Sequence, residues 1–384
     1  MILLLMVAVG LIGANSLILS PIASEVAAGL GLENAADVMT AAAAYGAGVS
    51  ISALLLAPLA DRIGADIALK HSLILIAAAL GISAAAPNMD FLIASQALAG
   101  VGVGLALPSI YTMAAVISVP GQEARTIGKV LTGWTLAMVG GVTFSAYIAE
   151  FFGWRMVFSI LAIAVFAVLT FMYAVQIPAA PRSEKITSPI SAMKVAGLGG
   201  ALFCVAMFGA GFYGVYNYLG AHITDTLGRS VSDSGQFTLL YGLGFGLAMF
   251  FDRYLDRVGP KRAMAVIFAA LIVLFAVAYQ IVHSYTLFAA LMFIWGIINH
   301  FGLNMTVNRL NQLDPSQRGA IMGLNSAVMY LCIFVATIGF RPLFDTWGLG
   351  ACIMVSGIMA ILGLGEALYA RRIVKRTFLT KELI

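Results

Sequence analysis

The chain has 384 residues, of which 61% are hydrophobic and 10% charged, with a net charge of +4. Water-soluble domains carry about 25% charged residues, so this balance, with a mean hydropathy of +1.00, excludes a soluble globule and makes lipid the main solvent. No basic stripe with interleaved aromatics appears, so nucleic acid is not an expected partner. Cys204, Cys332 and Cys352 are odd in number, lie in apolar runs and lack disulfide or metal spacing.

A helix that crosses a bilayer needs about 20 apolar residues. On that basis the sequence predicts an all-α integral membrane protein with twelve spans, at 2–23, 38–59, 67–86, 90–116, 126–149, 155–176, 195–218, 235–254, 263–282, 285–308, 319–340 and 349–370. The first run lacks the basic flank of a signal peptide and is expected to span. The longest polar stretch, Pro178 to Lys194, separates an N-terminal six-helix bundle (1–177) from a C-terminal one (195–370), with a tail at 371–384. With both termini placed in the cytoplasm, 18 of the 21 lysines and arginines fall on that side. This is the bias of a plasma-membrane protein, and a bacterial inner membrane is the expected setting.

The halves repeat. Asp61-Arg62-Ile63-Gly64 returns as Asp256-Arg257-Val258-Gly259, 195 positions later. Arg125 with Arg318 and Trp154 with Trp347 stand 193 apart. Duplicated membrane chains of this kind are typically transporters.

On these residues the chain resembles the major facilitator superfamily over essentially its whole length. The family's motif Gly-x-x-x-Asp-Arg-x-Gly-Arg-Lys stands here as Ala57-Pro58-Leu59-Ala60-Asp61-Arg62-Ile63-Gly64-Ala65-Asp66. The second copy has Asp252 in the leading place and keeps Lys261 and Arg262. Gly141-Val142-Thr143-Phe144-Ser145, followed by Gly153-Trp154-Arg155 and Phe158, is similar to the fifth-to-sixth helix region of twelve-span drug:proton antiporters among small bacterial exporters. Thr143 replaces a common proline and Ser145 a common glycine. Aligning the family's fourth-helix Arg-x-x-x-Gly on Gly100 puts Gln96 in the arginine's place. Gln96 is neutral and cannot tune a neighbouring acid as arginine would.

The resemblance implies two pseudo-symmetric bundles whose first, fourth, seventh and tenth helices line a central cavity. Polar residues inside a membrane are functional candidates. Tyr213, Tyr216 and Asn217 share one face of the seventh helix, and His300, Asn304 and Asn308 follow at i+4 steps on the tenth. Trp295 and Asn299 form a neighbouring stripe, and Asn15, Ser16 and Gln96 come from the first and fourth helices. This aromatic, amide-rich set suits a neutral or weakly polar organic solute. His300 is the expected proton carrier, since imidazole titrates near working pH. Glu366, late in the last helix, is expected to snorkel to the surface. The resemblance makes Asp61, Arg62, Gly64, Asp256, Arg257 and Gly259 a cytoplasmic gate, with Asp61 meeting the start of the eleventh helix and mattering more than Asp256. Gly100-Val101-Gly102-Val103-Gly104 is expected to be a helix-packing run rather than a nucleotide loop.

No nucleophile–base triad, metal-ligand cluster or phosphate-binding loop is recognisable in the sequence, so no enzyme, metal or cofactor is expected. The expected activity is alternating-access transport of a small solute by a monomer in the bilayer. Export with proton antiport leads, and proton-independent uniport or import is the alternative. A non-transporting sensor ranks last.

Overall fold

The structure is a computed structural model, described for every residue except 57–61, 120–121, 176, 181, 183–188, 253–258, 315–316 and 382–384; the side chains of 124, 189–191, 261 and 372–381 are also left out. In hydrocarbon a backbone must satisfy its own hydrogen bonds, so each apolar run closes into a helix. The spans are α1 (Ile2–Leu17), α2 (Ala35–Leu55), α3 (Ala65–Ala85), α4 (Met89–Val116), α5 (Arg125–Phe152), α6 (Trp154–Ala174), α7 (Leu198–Thr226), α8 (Val231–Phe251), α9 (Arg262–Ile281) and α10 (Tyr285–Asn311). The run Arg318–Lys381 leaves helical geometry at Gly348, with φ 70° and ψ −170°, and so divides into α11 (318–347) and α12 (349–381). Among the described residues twelve apolar helices therefore form, eleven of them long enough to span and α1 shorter. The first is shorter than expected: α1 ends at Leu17, and Ala23–Leu30 folds as a separate short helix closed by left-handed Gly31. The side of the bundle that carries the central linker is called the linker face, and the opposite side the far face.

Small residues set the packing within each half. Gly48 of α2 rests on the Ala97 carbonyl of α4, and Gly100 of α4 on the Tyr45 carbonyl of α2. The same reciprocal pair recurs 196 positions later, with Gly244 of α8 on the Phe293 carbonyl and Gly296 of α10 on the Tyr241 carbonyl. None of the four leaves room for a Cβ, which is how helices approach closely without a hydrophobic drive between them. Gly102 meets Ile76 of α3. The Gly100–Gly104 run is thus a packing surface.

Backbone geometry confirms the duplication and corrects one landmark. Gly64 (φ 96°) and Gly259 (φ 78°) open α3 and α9, and Gly153 (φ 82°) and Gly348 (φ 70°) open α6 and α12. Each pair stands 195 apart. On this register Trp154 and Trp347 are not equivalent, because they flank their glycines on opposite sides. Trp154 is 3% exposed and covers Gly29 of the short helix, while Trp347 is 69% exposed. Arg155 lies over the Trp154 ring and donates to the Ala86 carbonyl at 2.8 Å, tying α6 to the end of α3.

Glu366 does not snorkel. Its carboxylate accepts two 2.7 Å hydrogen bonds from Arg309 of α10 and one from the Cys204 thiol of α7 at 2.8 Å. Gly200 leaves the space that the carboxylate occupies. A buried charge in lipid needs a partner, and Arg309 supplies it.

Arg309→Met should destabilise the protein by about 3–5 kcal/mol, whereas Arg309→Met with Glu366→Leu should restore most of that loss. Thermal unfolding in detergent reads both. Gly153→Ala and Gly348→Ala should each cost about 1–3 kcal/mol, because this backbone region is essentially glycine-only. Gly339→Ala, helical and facing open space, should cost nothing in the same assay.

Candidate functional site

The two halves meet along α2 with α11 and α5 with α8. Gly46 of α2 lies on Ile333 and the Tyr330 carbonyl of α11. Gly235 and Gly242 of α8 lie on Thr143 and Val139 of α5. Val139 sits in a π-helical turn, Ala137–Val142, which interrupts α5 at the motif whose proline is missing. Such turns commonly mark functional segments.

On the C-terminal side of this seam is an aromatic cluster. Phe212 stacks on Tyr216 and Tyr241, with centroids 5.1 and 5.6 Å apart, and meets the edges of Tyr213 and Trp295. Asn299 donates to the Tyr241 hydroxyl at 3.0 Å. Toward the linker face the cluster continues through Phe245 onto His300. There His300 Nε2 lies 2.9 Å from Asp252 Oδ1, and Asn304 Nδ2 donates to the same oxygen at 3.1 Å. The Asp252 side chain is 38% exposed and that of His300 7%. Asp252 is thus a carboxylate within reach of His300, which the sequence reading had not assigned. Its signal was present: an acid occupies the leading place of the second motif, where the family has glycine.

On the N-terminal side, Asn15 of α1 donates to Gln96 of α4 at 3.3 Å, and Ser16 contacts the Tyr45 hydroxyl at 2.8 Å. The Tyr45 ring meets Tyr330 of the other half edge-on at 6.2 Å. Several buried polar atoms around the seam have no partner among the described residues: Asn15 Oδ1, Trp295 Nε1, Asn299 Oδ1, His300 Nδ1, Asn325 Oδ1 and the Tyr330 hydroxyl. Buried polar groups are nearly always hydrogen-bonded, so each of these atoms is open to a further partner.

The sequence candidates separate accordingly. Asn15, Tyr213, Tyr216, Trp295, Asn299, His300 and Asn304 gather at or near the seam. Gln96 does not line it: it is 0% exposed and turned to Ser83 inside the N-terminal half. Asn217 is also drawn away, donating to Thr337 of α11 at 2.6 Å. Of the gate candidates, Asp61, Asp256 and Arg257 lie outside the described residues. Arg62 is exposed, and Gly64 and Gly259 supply positive-φ caps. The lost basic tail of the first motif has a local use, since Asp66 Oδ1 accepts from the Ala180 N–H at 3.0 Å and docks the linker on α3.

At the far face the halves are clamped. Gly220 of α7 lies against the backbone of Ser20 and Pro21 with no room for a Cβ, and Ser20 Oγ donates to the Tyr216 carbonyl at 2.6 Å. Arg341 of α11 bridges Asp37 at the start of α2 (2.8 Å) and Asp345 (2.6 Å). Glu150 at the end of α5 accepts from the Ser232 N–H at the start of α8, where the helix dipole favours an anion. Glu150 and Asp345 stand 195 apart, so the two clamps occupy equivalent places in the two halves. Partial burial, and then the charge of Glu150, raise the carboxyl of nearby Glu25 above the ordinary carboxylate range.

Comparison with known proteins matches this architecture. A family model described as Major Facilitator Superfamily covers residues 5–337. The MFS-type transporter YwfA of Bacillus subtilis (strain 168) is 24% identical over 315 residues, covering 75% of this chain and 72% of the relative. A probable sugar efflux transporter of Pasteurella multocida (strain Pm70) is 26% identical over 285 residues, covering 72% and 69%. Among solved structures, a D-xylose-proton symporter aligns with TM-score 0.76 at 15% identity over 95% of this chain and 96% of its own. The human organic anion transporter MFSD10 aligns with TM-score 0.74 at 14% identity over 95% and 98%. The twelve helices, the duplicated halves and the matched family model together make this chain a member of the major facilitator superfamily, an integral membrane transporter and not an enzyme.

Proposed function

We propose that the protein exports a small, neutral, hydroxyl-bearing organic solute by alternating access, in exchange for protons, with residues 1–177 and 195–370 moving as the two bodies. The observation that carries this reading is the pairing of Asp252 with His300 and Asn304 beside a seam of unspent polar atoms. Aromatic faces suit the C–H surface of a polyol, and the free carbonyls, indole N–H and phenol suit its hydroxyls, each of which both donates and accepts. The sugar efflux relative supports that solute class and that direction. An organic anion fits less well, because Arg309 and Arg341 are both occupied by carboxylates.

Asp252 and His300 are the proton carriers in this scheme. Protonation of the pair from the far side would weaken its hold on Asn304, and release at the linker face would restore it. The lysine and arginine bias makes the linker face cytoplasmic in this scheme. The far-face clamps favour the state in which the seam communicates with the linker face. The two Asp-Arg-x-Gly motifs, with Asp61 and Asp256, would close that face in the alternate state.

Proteoliposome flux tests the scheme with D-glucose, tetraphenylphosphonium and benzoate as probes of the three solute classes. Glucose flux should rise with an imposed pH gradient. In Asp252→Asn and His300→Ala the ratio of flux with and without the gradient should fall to about 1, with counterflow exchange retained. Gradient-independent flux in the wild type favours uniport instead, and preference for the cation or the anion contradicts the solute class.

A further inference from the structure

We propose that Ser95, Ser83 and Gln96 form a positioning relay that fixes the orientation of the Asn15 amide, so that Asn15 offers the solute an acceptor and selects for a donor there. The inference rests on the hydroxylated-solute reading above and adds a specificity rule to it.

A free asparagine amide can present either its carbonyl or its NH2, and the choice decides which solute group it takes. Here the hydrogens are accounted for along the chain of contacts. Ser95 Oγ, which also lies 2.9 Å from the Leu92 carbonyl, gives its one hydrogen to Ser83 Oγ. Ser83 Oγ, 2.8 Å from Ser95, donates to the Ala79 carbonyl at 3.0 Å. The Ser83 oxygen is then left as an acceptor, and Gln96 Nε2 donates to it at 2.9 Å. That turns Gln96 Oε1 toward Asn15, whose Nδ2 must face it. Asn15 Oδ1 is left, on a residue 3% exposed, with no partner among the described residues.

The neighbouring hydroxyls of the same half, those of Ser16 and Tyr45, do not fill the vacant valence. Ser16 Oγ donates to the Ile12 carbonyl at 3.0 Å, so the Tyr45 hydroxyl gives its one hydrogen to Ser16. Nothing is left on Tyr45 to give to Asn15 Oδ1. Gln96 therefore acts at a distance. It touches no solute, yet it sets the sign of the hydrogen bond that Asn15 can make.

The test uses the full chain in nanodiscs and the monodeoxyfluoro series of D-glucose, since fluorine in place of a hydroxyl accepts weakly and cannot donate. In the wild type, fluorine at one ring position should weaken binding by about 3- to 10-fold, the worth of one lost hydrogen bond. In Gln96→Leu that penalty should shrink to within about twofold, while the penalties at other positions persist. Ser83→Ala, a smaller change, should act in the same direction. Adding Asn15→Asp to Gln96→Leu should restore the penalty, because a carboxylate accepts in either orientation. Unchanged penalties in Gln96→Leu and Ser83→Ala overturn the relay, as does a uniform loss at every position, which would mean a merely structural role. Failure of the wild type to bind any member overturns the hydroxylated-solute reading, and the relay with it.

Discussion

A polar group in hydrocarbon must find its partner inside the protein, and this constraint orders the whole molecule. Most polar side chains here are satisfied within their own half. Arg309 spends its charge on Glu366, Asn217 its amide on Thr337, and Gln96 its amide on Ser83 and Asn15. Around the seam the account does not close. Asn15, Asn299, Asn325, Trp295, Tyr330 and His300 each keep an unpaired atom there. A rigid protein would gain by filling those positions with apolar side chains. The proposed solute site rests on their presence.

The duplication explains how the seam can be closed on one side. Equivalent glycine pairs give each half the same internal packing, as the proposed two-body movement requires. The far-face contacts then join the bodies by two clamps in corresponding places but with different chemistry. One acid, Glu150, faces a helix N-terminus and needs no cation. In the other, Asp37 and Asp345 face each other, and Arg341 is required between them. The halves share a frame, while their polar contents have diverged.

Much of the fold was legible in the sequence, because helix length and lysine–arginine placement are imposed by the bilayer. Gly64 and Gly259 pointed to the repeat correctly, since positive φ ties a glycine to one place in the backbone. Trp154 and Trp347 misled, because side-chain identity at a helix end is not so constrained. The site was only partly legible. Helical spacing brought Tyr213, Tyr216 and His300 toward the seam, but it could not reveal that Asn217 and Gln96 turn inward to partners on other helices. In the sequence Asp252 is only a departure from the motif, and its distance from His300 is a tertiary fact. Glu366 looked like a snorkelling end-residue because Arg309 lies 57 positions away.

The central claim is that the far-face clamps hold the two halves in one arrangement and that releasing them lets the halves separate there. Spin labels at Glu33→Cys and Thr226→Cys, both exposed at the far face, report that separation while the three native cysteines stay buried. Pulsed dipolar spectroscopy should give a single short distance in the resting protein and a second, longer population when Arg341→Gln and Glu150→Gln are combined. An unchanged distribution in the double variant would contradict the account.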